Sequence, residues 1–522
     1  MVAIKRRLFG GRAMAVLAAS TIGLAGLAAA DQAVAGAGAS PTADPAHGYV
    51  VKVGVGGDRA CTGVLVDLYL VATSKECFTV GSTAPVTGPP PVASTVTTRA
   101  DQPSAAQTVA VDYLHVRDDQ NLVVAHLAKH VIGVRGNAPV SASAPVAGET
   151  LRVLGFGRTA TTWVPALPHT GQIAVQDVSA TGVGITPLAD ATICKGDAGG
   201  PVIRENSDGT AQLVAVLSTS QQGGCLGETS TRRDATATRV DGLADWVGQL
   251  KEFEVTGRVQ AAGGTGCLVV NDGTTTYQLA GGDAAVVKAG QTVHVYGFRA
   301  PGPAGSCTQG IRFQVTQAYA VATVLGTVTR GIEMQCLLLS SGGVTYRPFG
   351  GDPAVVKVGA KLSITGYPMP GPSSCAQGTA FRVLSVTPAK SVSLRARVNG
   401  KFVTADNAGA DPLIANRDTV GGSWEKFDSF ELGDGVIALR AHVNGKYVTA
   451  DSAGASPLIA NRDHVGGTWE KFLLVRNADG SVSFKAEANG KFVTADSAGA
   501  SPLIANRDTV GGSWEKFDLN IL

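Results

Sequence analysis

The stretch Cys194-Lys195-Gly196-Asp197-Ala198-Gly199-Gly200-Pro201 decides how this chain is read. Glycine and proline crowd it, and Ala198 at its centre offers only a methyl group, which cannot attack a carbonyl. Around it lie 522 residues, too many for one core, so about two to four domains are expected. Glycine is abundant at 67 residues, and charged residues are only 16%, against roughly 25% in an average soluble protein. Such a mixture, with frequent valine, threonine and alanine, favours short strands and tight turns over long helices. The formal charge of +2 and the lack of a basic stripe speak against nucleic-acid binding.

The N-terminal stretch has the layout of an export signal over residues 1–30. Lys5, Arg6, Arg7 and Arg12 precede an uncharged apolar run from Ala13 to Ala30 that ends in small residues. Arg6-Arg7-Leu8-Phe9 also resembles a twin-arginine signal. No later run is long enough to span a bilayer, so the mature protein is expected to be soluble and secreted. Residues 31–48 read as a flexible leader. Eight cysteines in an exported chain point to disulfides, and their spacings suggest the local pairs Cys61 with Cys77, Cys194 with Cys225, Cys267 with Cys307, and Cys336 with Cys375. There is no C-x-x-C and no His–Cys cluster, so neither a metal nor a cofactor is expected.

Three further motifs lie upstream of and beside the opening stretch. Cys61-Thr62-Gly63-Val64-Leu65-Val66 leads into Leu70-Val71-Ala72-Thr73-Ser74-Lys75-Glu76-Cys77, and Asn121-Leu122-Val123-Val124-Ala125-His126-Leu127 follows. With Cys194 to Pro201, these resemble the trypsin-like serine peptidases, whose motifs run C-S-G-x-L-I, V-L-T-A-A-H-C, D-[IL]-A-L-[LV]-x-L and G-D-S-G-G-P. The resemblance implies a double β-barrel across residues 49–250. It puts Glu76 in the place of the general base, Asn121 in that of its acidic partner, and Ala198 in that of the nucleophile. A carboxylate is too weak a base to activate a hydroxyl as imidazole does, and an amide cannot stabilise imidazolium as a carboxylate does. Asp119 takes the acidic place only if the register shifts by two. Thr192 stands at the specificity position and carries no charge. The N–H groups of Gly196 and Ala198 correspond to the oxyanion hole. Leu213 to Ser218 resembles the strand beside the cleft, Thr236 to Val240 a closing strand, and Leu243 to Val247 the C-terminal helix. No I-V-G-G terminus precedes the domain. His115, His126 and His130 are read as strand or surface residues rather than relocated bases.

Two kinds of repeat follow. Val255-Thr256-Gly257-Arg258-Val259 recurs as Val324-Leu325-Gly326-Thr327-Val328, and Gly281 to Lys288 recurs as Gly350 to Lys357. Units over 251–320 and 321–388, each with alternating strands and one disulfide, fit small OB-like β-barrels. Residues 391–522 hold three copies of another unit. Each has Asn-Gly-Lys-aromatic-Val-Thr-Ala-Asp from Asn399, Asn444 and Asn489, then Pro-Leu-Ile-Ala-Asn-Arg-Asp from Pro412, Pro457 and Pro502, then Trp-Glu-Lys-Phe from Trp424, Trp469 and Trp514. This pattern resembles fascin-like β-trefoil modules, which implies a glycan- or surface-binding role. The tryptophans, with Phe427, Phe472 and Phe517, are expected in its core.

The sequence thus describes an exported, disulfide-stapled, all-β protein: a trypsin-like domain with all three triad positions replaced, two small barrels and a β-trefoil. Its expected role is non-catalytic, with a peptide or protein in the old cleft and a glycan or surface on the trefoil. The alternative is an active endopeptidase with a displaced triad.

Overall fold

In Val50–Val55 the odd residues Val51, Val53 and Val55 are fully buried while Lys52 and Gly54 are only half covered, the period of two expected of a strand with one face on a core. This strand belongs to a computed structural model that describes residues 40–41, 47–98, 105–134, 137–207, 210–264, 266–300, 307–370 and 375–522. The export signal and most of the leader lie outside those residues. Within the leader, Ser40–Pro41 pairs antiparallel with His169 and Thr170, so this part of it is a strand held by backbone bonds rather than a free tether.

Val50–Val55 joins Arg59–Asp67, Leu70–Thr73, Val123–Leu127, Gln107–Val116 and Ser94–Thr98 in a closed barrel. A second sheet runs from His169–Val178 through Gly182–Pro187, Ala235–Arg239, Ala211–Ser220 and Pro201–Glu205 to Thr150–Gly155. It closes on itself because His169–Val178 also pairs with Thr150–Gly155. The helix Leu243–Leu250 leaves the second barrel and returns to the first. Its Leu243, Val247 and Leu250, on one helical face, enter the first barrel's core. Among the described residues, no helix is long and apolar enough to cross a membrane.

The next two units share one plan. In the first, Thr276–Gly281 runs parallel to Ile311–Ala320, and in the second, Val344–Phe349 runs parallel to Thr379–Pro388, with the remaining ladders antiparallel. The second closes into a five-stranded barrel. All four sequence pairs of cysteines are bridged. Phe298 from the first of these units is fully buried against Tyr113, His115 and His126 of the first barrel.

The last 133 residues from Lys390 fold into a twelve-stranded sheet in which the three copies interlock in a ring. Gly409 lies against Asn444, Gly454 against Asn489, and Gly499 against Asn399, so each copy abuts the next and the third returns to the first. A Cβ on any of these glycines would fall 2.2 Å from the amide nitrogen of its partner, and each has φ near +84°. The asparagines are therefore more than turn formers. Asn444 donates to Ala460 O at 2.8 Å and accepts from Lys446 N at 3.0 Å, pinning its own hairpin while it seats the preceding copy.

The aromatics divide. Phe427, Phe472 and Phe517 are at most 1% exposed in the common core, as expected. Trp424, Trp469 and Trp514 are not in that core; they are half-buried, with the guanidinium of Arg417, Arg462 or Arg507 5.6, 5.7 or 5.9 Å from the ring centre. The residue between Trp and Phe explains the split. Glu425 is buried because its carboxylate accepts from Gly421 N and Gly422 N and from the Thr404 hydroxyl, and this leaves the neighbouring indole at the rim. Phe427→Ala should accordingly cost about 3–5 kcal/mol, and Trp424→Ala roughly 1 kcal/mol. Urea unfolding of the two variants, followed by circular dichroism, checks the contrast, and equal losses would contradict it.

Candidate functional site

The loop Cys194–Pro201 is shaped by a buried carboxylate. Asp197 is 1% exposed and accepts from Cys194 N and Gly157 N, each at 2.8 Å, and from His169 Nε2 at 2.9 Å. The approach is open only because residues 155 and 157 are glycines: a Cβ on Gly155 would sit 2.0 Å from Asp197 Oδ1. Thr62, on the first barrel, fastens the other side. Its N–H donates to Ala198 O at 3.0 Å, its hydroxyl donates to Gly196 O at 2.8 Å, and the same hydroxyl accepts from Phe156 N. Gly199 N donates to Leu217 O at 2.7 Å, and the Cys194–Cys225 bridge closes the loop's base. So held, the loop leaves the N–H groups of Gly196 and Ala198 with no acceptor among the described residues.

Glu76 rides on the 3-10 turn Lys75–Phe78, which follows Leu70–Thr73 and is stapled by Cys61–Cys77. Its two carboxylate oxygens accept from Asn121 Nδ2 at 2.8 and 2.7 Å, and Ser74 donates to it as well. Asn121 Oδ1 accepts from Lys75 N at 3.0 Å, its Nδ2 also meets the Ser218 hydroxyl, and its carbonyl accepts from Thr238 at 3.2 Å. Glu76 and Asn121 thus come together across 45 residues of sequence, joined to Ser218 from the second barrel. Ala198 packs partly buried against the first barrel's core, beside the same disulfide. Asp119, the alternative in a shifted register, is instead paired with Arg117 at 2.7 Å and is exposed.

This network holds no imidazole. His126 is buried between Asp112, 2.7 Å from its Nδ1, and Glu252, 3.4 Å from its Nε2, the latter an electrostatic contact rather than a formed hydrogen bond. His130 stacks on Tyr69 and faces the same Glu252 at 3.5 Å, and His115 is buried with neither ring nitrogen bonded. Thr192 is 5% exposed, and its hydroxyl has no partner. Glu333 lies with Cys336 and Cys375, but those sulfurs are bonded to each other and are not thiolates. Sequence reading missed Ser218 and His169 as parts of the site. Ser218 was legible as the end of the cleft strand, whereas nothing in the local pattern marked His169.

Burial opposes charge on His169, but the Asp197 carboxylate and its hydrogen bond outweigh it and raise the pKa above the ordinary 6.5. A raised folded value means that the pair's stabilisation is full below the unfolded value and is lost as pH rises through the folded one. Amide protection at Gly157 and Cys194, which bond the same carboxylate, should therefore fall as His169 deprotonates. Hydrogen exchange compared between the native chain and His169→Gln measures this; a native pH dependence identical to the variant's would remove His169 from the account.

Residues 37–247 match the family model described as Trypsin. No curated protein matches the chain. Among solved structures, human heparin binding protein is 21% identical with a TM-score of 0.32, over 41% of this chain and 95% of that one. The designed 3-fold symmetric protein ThreeFoil is 25% identical with a TM-score of 0.24, over 25% of this chain and 99% of that one. The family match starts upstream of residue 49, takes in the Ser40–Pro41 strand and ends within the helix Leu243–Leu250. The segment that matches this family model thus holds both closed barrels and the loop Cys194–Pro201.

Proposed function

We propose that this chain is a secreted, non-catalytic relative of the trypsin-like peptidases, which binds a peptide or protein through the old cleft and a glycan or surface through its C-terminal module. One observation supports the first half: the residues read at the triad positions, Glu76 and Asn121, are hydrogen-bonded to each other and to Ser218 with no imidazole among them, and Ala198 carries only a methyl group. Proton transfer from a nucleophile needs a base strong enough to take its proton. The hydroxyls of this array, Ser74 and Ser218, meet a carboxylate and an amide, and a carboxylate is a weaker base than imidazole. The free N–H groups of Gly196 and Ala198 still suit a carbonyl or carboxylate oxygen, which supports binding without turnover. Four disulfides suit an oxidising, extracellular setting.

For the second half, the ring of three copies suits a fascin-like β-trefoil, and the two preceding units suit OB-like spacers. Each copy sets an indole at the rim beside an Arg–Asp pair, Arg417 with Asp406, Arg462 with Asp451, and Arg507 with Asp496. An aromatic face next to hydrogen-bonding groups can hold a sugar ring, and three copies add avidity.

Two tests follow. The native chain should show no covalent labelling by a fluorophosphonate serine probe, whereas Glu76→His, Asn121→Asp and Ala198→Ser together should restore labelling at residue 198. Labelling of the native chain at a mapped serine would establish the displaced-triad alternative instead. On a glycan array, the native chain should bind and Trp424→Ala, Trp469→Ala and Trp514→Ala combined should lose retention at least tenfold with unchanged circular dichroism. Retention by the folded triple variant would refute the indole sites.

A further inference from the structure

A separate cavity lies where the helix Leu243–Leu250 meets the six-stranded sheet that follows it. Its volume is about 370 Å3, within the range of small-molecule sites, and it sits at a junction between units, where such sites favour forming. Trp246 and Leu250 of the helix supply apolar wall on one side, and Ile311 supplies it on the other. Polar character comes from Gln278 and from two arginines, Arg299 and Arg312.

The arginines are the informative part. No acidic residue is among the described residues that line the cavity. Neither Arg299 nor Arg312 has a carboxylate partner among the described residues, whereas Arg117, Arg152, Arg158, Arg204 and Arg239 of the preceding domain each have one. Arg299 lies 5.7 Å over the Phe253 ring, which leaves its guanidinium edge uncommitted. The Nε of Arg312 is shielded from solvent and has no acceptor. A shielded donor left unmet costs free energy, and a guanidinium cannot escape that cost by losing its proton. That nitrogen does not face the cavity, but the guanidinium it belongs to lines it and brings an uncompensated positive charge to any anion that enters.

We propose that this cavity binds a small organic anion, a carboxylate or phosphate group carried on an aromatic frame. The guanidinium fork suits the paired oxygens of either group, and the Trp246 indole and the Ile311 and Leu250 side chains suit the ring. The site is independent of the protease-like cleft and of the C-terminal indoles, so its fate and theirs are separable.

The test is a fluorescence titration of the full chain with phenylacetate, phenyl phosphate and benzyl alcohol. A saturable change in tryptophan emission is expected with one or both anions and not with the neutral alcohol. The change should be lost in Trp246→Phe, and Arg312→Leu and Arg299→Leu should each raise the apparent Kd at least about tenfold. Arg299 is exposed at a strand end, so its variant keeps the test valid if Arg312→Leu fails to fold. Saturation by phenylacetate alone assigns a carboxylate, by phenyl phosphate alone a phosphate, and by both the wider anion class. No saturable change with either anion, equal saturation by benzyl alcohol, a signal that survives Trp246→Phe, or affinity unchanged in Arg299→Leu would each overturn the proposal.

Discussion

A single buried carboxylate organises the protease-like half of the molecule. Asp197 gathers two backbone N–H groups and an imidazole from three separate segments, and so fixes the loop on which Ala198 stands. Hydrogen bonds to an ionised group are worth more than neutral ones, and breaking a buried pair by removing one partner typically costs about 3–5 kcal/mol. The glycines at 155 and 157 follow from that demand, since any side chain there would occupy the space of the carboxylate. Gly199 is required for a different reason: a Cβ there would sit 2.0 Å from the Thr73 hydroxyl oxygen and 2.1 Å from Thr62 O, on the first barrel.

The framework of the loop and any chemistry performed on it have separate physical requirements. Thr62, Asp197 and the two bridges at Cys61–Cys77 and Cys194–Cys225 maintain the geometry of the loop and of its unpaired N–H groups. None of them needs a proton to move. The array Glu76–Asn121–Ser218 is a polar seam of hydrogen bonds that joins the two barrels. Two other buried histidines lie at another seam. His115 and His126 pack under Phe298, and His126 lies between Asp112 and Glu252, where they hold the next unit against the first barrel.

At the C-terminal end the constraint is closure of a ring. Three nearly identical copies bury their phenylalanines at one centre, and each asparagine of the Asn-Gly pair seats against a glycine of the preceding copy. The repeated glutamate takes the N–H groups of the glycine pair inward. What remains at the rim in every copy is an indole, a guanidinium and an aspartate, and a ring presents that set three times.

Motifs with local causes were legible from the sequence alone. Alternating valines gave the strands, the cysteine spacings gave four pairings that the structure contains, and the glycine-rich loop gave the resemblance that the family match over residues 37–247 bears out in part. The residue types Glu76, Asn121 and Ala198 at their places in the motifs are likewise legible from the sequence alone. Contacts between distant segments were not legible. His169 reaches Asp197 across 28 residues and carries no motif of its own. Trp424 and Phe427 are both large aromatics three positions apart, and composition could not tell rim from core; the buried Glu425 between them does. Local pattern is set by backbone sterics and side-chain period, so the sequence determines it by itself. Which polar group meets which across the chain depends on where the barrels and the ring bring their surfaces together, and only the tertiary structure decides that.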